Sequence, residues 1–126
     1  MLPVDTQHTD GAVIGELRQL SEGLLLLSES EASFEIMALT AFPECPEGME
    51  EVSLDDILGY SAAVQEWHTE EDKAVVARFA AFKTVIEQRL QNLRVCKSTE
   101  GGEKEIWIIG NSEEGIVCIR TTVVET

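Results

Sequence analysis

Positive charge is scarce in this chain: 9 Lys and Arg stand against 24 Asp and Glu over 126 residues, a formal net charge of -15. A phosphodiester backbone would be repelled at every approach, so direct nucleic-acid binding is disfavoured. A basic protein groove would be reached faster, in a salt-dependent way. The same acidity can mimic DNA or simply keep a chain in solution. Cys45, Cys96 and Cys118 form an odd set in no CxxC arrangement, which argues against a zinc site or a disulfide framework and points to a reducing cytoplasm. Leu24 to Leu27 is too short to span a bilayer. Met1 to Asp10 lacks the basic start and apolar stretch of a secretory signal. No GxGxxG, Walker loop, GxSxG, HExxH or EF-hand loop occurs, which removes the common local signatures of nucleotide, acyl-transfer and metal enzymes. The best remaining enzymatic constellation is Glu29, Glu31 and His68, which could bind a metal or share acid-base work if folded together. Histidine is otherwise present only at His8, and Cys96 and Cys118 look like buried strand residues rather than nucleophiles. A protein without catalysis or a cofactor of its own is expected.

What is present suits one globular domain over residues 11–126, preceded by a disordered tail over 1–10, with 44% hydrophobic residues and no linker. Val13, Ile14, Leu17, Leu20 and Leu24 recur at helical spacing, with Thr9 or Asp10 available as N-cap and Gly23 placed to end the helix. After a bend at SESE, Phe34 to Phe42 is apolar on both faces and predicts a central strand. A turn at Pro43 to Gly48 leads to a short extended stretch at Met49 to Val52. Ser53 with Asp56, and Thr69 with Asp72, are capping-box signatures; the first opens a short helix and the second the longest one. Glu70, Glu71 and Asp72 complement the dipole of that long helix. Val95 to Ser98, Glu105 to Ile109 and Ile116 to Val124 predict an antiparallel meander. The sum is an α+β protein, an antiparallel sheet covered by helices on both sides, with Trp107 in the core. Thr121 to Thr126 carries the last strand to the α-carboxylate, which a rigid strand end would aim at a cation.

Three segments, GLLLLSESEASFE (residues 23–35), EWHTEEDKAVVARF (66–79) and the terminal VVET, resemble the nuclease A inhibitor (NuiA-like) family in their order along the chain. The resemblance implies an α-β-α sandwich that inhibits a sugar-nonspecific, Mg-dependent nuclease of the ββα-metal type by entering its basic cleft. It places the inhibitory acid of the SES segment on Glu29, an acidic-Trp pair on Glu66 and Trp67, and the residue nearest the nuclease's Mg²⁺ on Thr126. Carboxylates suit a hard cation and would stand in for phosphates, and tryptophan is a favoured interface anchor. Ser28, Glu31, Glu35 and His68 rank second as contributors. No metal of the chain's own is implied, only the approach of Thr126 to a partner-bound Mg²⁺.

The chain departs from the family at Ala32-Ser33, where a Tyr-Pro pair is usual, at His68, an aromatic position, and in a shorter segment between Phe42 and Val52. The alternative reading is an acidic protein-interaction module on the same fold with a non-nuclease partner. The charge balance predicts that the protein binds a basic nuclease but not DNA or RNA, and that this binding weakens as salt rises. Titrations at increasing ionic strength check it; tight binding to nucleic acid alone, or salt-indifferent nuclease binding, contradicts it.

Overall fold

The computed structural model describes residues 4–5, 11–24, 26–27, 31–59, 62–63 and 65–124, of which 4–5, 26–27 and 31–32 are described in backbone only. The elements in order are β1 (Val4–Asp5), α1 (Ala12–Ser21), β2 (Leu26–Leu27), β3 (Glu31–Ala32), β4 (Glu35–Leu39), β5 (Met49–Val52), α2 (Leu54–Leu58), α3 (Glu70–Arg89), β6 (Gln91–Ser98), β7 (Glu103–Ser112) and β8 (Gly115–Val124). Six strands form one antiparallel sheet in the order β1-β4-β8-β7-β6-β5, and β2 pairs with β3 as a separate hairpin. The α+β class and the C-terminal meander follow from this directly. No helix among the described residues is long and apolar enough to cross a membrane.

The central strands bury both faces, and the two faces are covered differently. On one side Ile36, Ala38, Val95, Ile106, Ile108, Val117 and Ile119 pack with Val13, Ile14 and Leu17 of α1, Leu54, Ile57 and Leu58 of α2, and Phe79, Phe82 and Ile86 of α3. Each such side chain contributes roughly 1.5–3 kcal/mol on burial. On the other side Leu39, Cys96, Trp107, Ile109 and Cys118 are buried beneath Met37, Phe42, Cys45, Met49 and Ile116. That cover is strand and loop, without a helix among the described residues. The expected helix-sheet-helix sandwich is therefore not seen there: the described helices share one face, and the other is closed by the segment between β4 and β5.

The loop cover is tied down covalently. Cys45 and Cys96 form a disulfide with Cα atoms 5.5 Å apart, and Cys118 alone is free. This corrects the expectation drawn from the odd cysteine count. The partners are 51 residues apart and meet only because residues 40–48 fold back over β6, which spacing does not reveal. With two thiols bonded, the unpaired-thiol argument for a reducing cytoplasm falls. Arg94 holds the same loop, with its guanidinium 5.2 Å from the Phe42 ring centroid, Nη1 donating to the Pro43 carbonyl at 2.9 Å and Nε paired with Glu51 at 3.2 Å. Trp107 is buried as expected, and its indole N–H donates to Glu105 Oε1 at 2.7 Å.

Two further differences concern the N-terminal region. Val4 and Asp5, expected in a disordered tail, pair with Leu39 and Ala38, completing the outer ladder of β4. Helix α1 is capped neither by Thr9 nor by Asp10: Gly11 occupies the N-cap. The orphan N–H groups of Ala12 and Val13 donate to the Glu114 carboxylate at 2.8 and 2.7 Å. Those bonds hold the Glu114 carboxyl below its ordinary pKa. A cap supplied from about a hundred residues away leaves no local signature.

Helix α3 passes into β6 with no loop, through Leu90 alone. The reversal needs room at Gly110 on β7, where an added Cβ would lie 2.7 Å from Leu90 Cβ and 3.1 Å from Leu93 Cδ2. Gly110→Ala is therefore expected to lower stability by about 1–3 kcal/mol. Urea unfolding of the variant checks this, and an unchanged midpoint would show that the junction yields freely.

Candidate functional site

The reversal at Leu90 decides which residues share an end of the molecule. Because α3 leads straight into β6 and runs back against it, the first turn of α3 lies at the end where β6 finishes. There Ser98 pairs with Met49, and Glu103 of β7 pairs with Val124 of β8. The strand carrying the C-terminal segment and the helix preceded by Glu66-Trp67 thus converge on one end. The β2–β3 hairpin, with Leu27 opposite Glu31, packs against β8 and joins this end. Thr121 Oγ1 donates to the Ser33 carbonyl at 2.9 Å. Phe34 lies edge-on to Phe82 at 5.0 Å and to Phe79 at 6.3 Å between ring centroids. The chain leaving the hairpin is thereby fastened to both β8 and α3.

Trp67 is the main apolar feature of this end. It is 68% exposed, against a core that buries Trp107, and Val75 at 42% is the other large apolar side chain left open among the described residues. Glu66, Glu70 and Glu71 are exposed around it, and Lys73 sits 3.6 Å from Glu70 as a local cation. The capping box expected at Thr69 and Asp72 is present. Thr69 N–H donates to Asp72 Oδ2 at 2.9 Å and Asp72 N–H to Thr69 Oγ1 at 3.2 Å. The Thr69 backbone N–H, followed by its hydroxyl, holds the Asp72 carboxyl below its ordinary value.

His68 is half-buried in the turn before α3. Its Nδ1 accepts the Gln65 N–H at 3.0 Å, and its ring meets Trp67 edge-on at 4.3 Å. The proposed metal or acid-base trio of Glu29, Glu31 and His68 is not assembled by what is described: Glu29 lies outside the described residues, Glu31 is described in backbone only, and the His68 Nδ1 is occupied. Among the described residues no group of three His, Cys, Asp or Glu is arranged to hold a metal. Burial pushes the Cys118 thiol up to about 12, which leaves it un-ionised.

The remaining predicted residues divide by position. Ser28 and Glu29 fall between the paired Leu27 and Glu31, and Thr126 falls two residues beyond Val124; all three lie outside the described residues. Of their described neighbours, Val124 ends β8 beside Glu103, and Leu27 and Glu31 pair in the hairpin that packs against β8. Glu35 opens β4 opposite Arg120 and, by strand alternation, shares the sheet face of Met37 and Leu39. Gln65 went unremarked in the sequence, although His68 follows it at the same three-residue spacing that marks the capping boxes.

Among known families, the one described as nuclease A inhibitor-like protein matches residues 44–126. The match takes in Glu66, Trp67 and Thr126 and begins after the 28–35 segment. No curated protein matches the chain.

The depressed carboxyl at the α3 N-terminus sets a pH dependence. A folded-state value below the ordinary 3.8 of Asp72 contributes stability that is present above that value and is lost as pH falls through the lower folded one. Asp72→Asn keeps an acceptor without ionising, so its melting temperature should fall less than that of the original chain on acidification below about pH 4. Parallel melting curves across that window check it; identical acid sensitivity would remove Asp72 from the linkage.

Proposed function

The chain belongs to the nuclease A inhibitor-like family, and from that premise we propose that it inhibits a sugar-nonspecific, Mg-dependent DNA/RNA nuclease by occupying the basic cleft of that enzyme. The observation that carries the reading is Trp67, an exposed tryptophan set among Glu66, Glu70 and Glu71 at the end where β8 finishes. An indole can fill an apolar hollow while the surrounding carboxylates meet the lysines and arginines that would otherwise hold phosphates. The net charge of -15 adds long-range attraction to such a cleft.

In this reading Glu66 and Trp67 are the central contacts. Glu29 is a desolvated charge from the hairpin loop, and the Thr126 carboxylate approaches the partner-bound Mg²⁺ directly or through its water. Inhibition is stoichiometric occlusion, with no bond made or broken by this chain and no cofactor or metal of its own. A helix layer on the second face, completing a sandwich, belongs to the same family-based reading.

A second reading, an acidic module for a different basic protein, draws on one finding: the family match starts at residue 44 and leaves the 28–35 segment outside it. On that reading Trp67 still anchors, but Glu29 contributes nothing to a nuclease.

Inhibition assays with a Mg-dependent sugar-nonspecific nuclease separate the two. Trp67→Ala and Glu29→Ala should each weaken inhibition by roughly 2 kcal/mol or more. Trp67→Ala should leave unfolding nearly unchanged, because so exposed a side chain contributes little to the core. Extension beyond Thr126, or its amidation, should weaken inhibition while an N-terminal tag is tolerated. No inhibition by the original chain would favour the second reading, whereas full inhibition by Glu29→Ala and by the extended chain would remove those two features from the nuclease contact.

A further inference from the structure

Residues 65–68 are closed twice. The Gln65 N–H donates to His68 Nδ1 at 3.0 Å, and the His68 N–H donates back to the Gln65 carbonyl at 3.1 Å. The next four residues repeat the reciprocity through the capping box of Thr69 and Asp72. Trp67 therefore sits inside one clasped turn that abuts a second, and the second is continuous with a 20-residue helix anchored in the core by Phe79, Phe82 and Ile86.

An indole that is 68% exposed has little core against which to settle. What holds it is the edge-on contact with the His68 ring, at 4.3 Å and 68° between planes, together with the backbone geometry of the turn. We infer that His68 is a positioning residue for Trp67: its Nδ1 lone pair closes the turn and its ring braces the indole, so that the anchor is presented in one orientation before any partner arrives. This rests on the reading of Trp67 as the partner anchor. The physical advantage is that a side chain ordered beforehand loses less freedom on binding.

The chemistry constrains the form of the imidazole. A nitrogen that accepts carries no proton, so the ring hydrogen is on Nε2, and a cation seeking Nδ1 would have to break the Gln65 bond. The useful property is thus an acceptor three residues after Gln65, which asparagine also supplies and phenylalanine does not. That difference separates a clasp from simple ring packing.

The test measures the order parameter of the Trp67 indole N–H by ¹⁵N relaxation in the free protein, and inhibition of a Mg-dependent sugar-nonspecific nuclease, for His68→Ala, His68→Phe and His68→Asn. In His68→Ala and His68→Phe the indole order parameter is expected to fall below about 0.6 and inhibition to weaken roughly tenfold. His68→Asn, which returns the acceptor without the ring, should restore both in part, and no recovery over His68→Phe would overturn the clasp. In a Trp67→Ala background, His68→Ala should change inhibition by less than about twofold, because a residue acting through Trp67 has nothing left to position.

An unchanged indole order parameter in His68→Ala and His68→Phe overturns the inference. So does a tenfold loss that persists without Trp67, which would make His68 a direct contact. If the original chain fails to inhibit the nuclease, the partner reading fails, while the order parameters still decide the role of His68.

Discussion

The structure depends on a sheet whose central strands have no face fit for water. Ile106 and Ile108 point to one side of β7, Trp107 and Ile109 to the other, and all four are buried. Two covers are required, and the chain makes them from different materials. Three helices supply the first. Among the described residues the second is made of strand side chains and the segment 40–48, which is fastened through the Cys45–Cys96 disulfide, through the Phe42 and Pro43 contacts of Arg94, and through Thr99, whose N–H and hydroxyl both reach the Gly48 carbonyl. A cross-link closing a loop of this length typically contributes about 2–4 kcal/mol, comparable to burying one large side chain.

The helical cover has a consequence at a distance. The longest helix must lie along the sheet to bury Phe79, Phe82 and Ile86, and its junction with β6 at Leu90 forces it to run against that strand. Its acidic first turn is thereby carried to the end where β8 finishes. The end of the molecule that gathers Trp67, the approach to the hairpin loop and the last described residue of β8 is a product of packing on the far side of the helix. Residues at the junction, Gly110 above all, bear on the site without being near it.

Local signals in the chain were legible where local physics decides. Both capping boxes lie where their three-residue spacing put them, because a Ser or Thr hydroxyl and the third residue's carboxylate satisfy orphan N–H groups without help from elsewhere. The meander was legible because β-branched runs separated by glycine turns have few alternatives. The α1 cap was not, since Glu114 belongs to the β7–β8 turn. The SESE bend proved to be flanked by a strand pair, β2 and β3, whose two-residue strands carry no alternation to read. The kind of cover on each sheet face was not legible for a related reason: apolarity on both faces of a strand demands cover without saying of what kind.

The sequence by itself determined the acidity, the antiparallel meander, the long capped helix and the family to which the chain belongs, because each is written in composition or in neighbours a few residues apart. Only the tertiary structure decided that Cys45 meets Cys96, that the described helices gather on one face, that Glu35 takes the sheet face of Met37 and Leu39, and that His68 Nδ1 closes on the Gln65 N–H. Each of these depends on which face a side chain takes once the chain has closed on itself. A one-residue change in strand parity or the direction of one helix reverses that outcome, and neither is fixed by the local pattern.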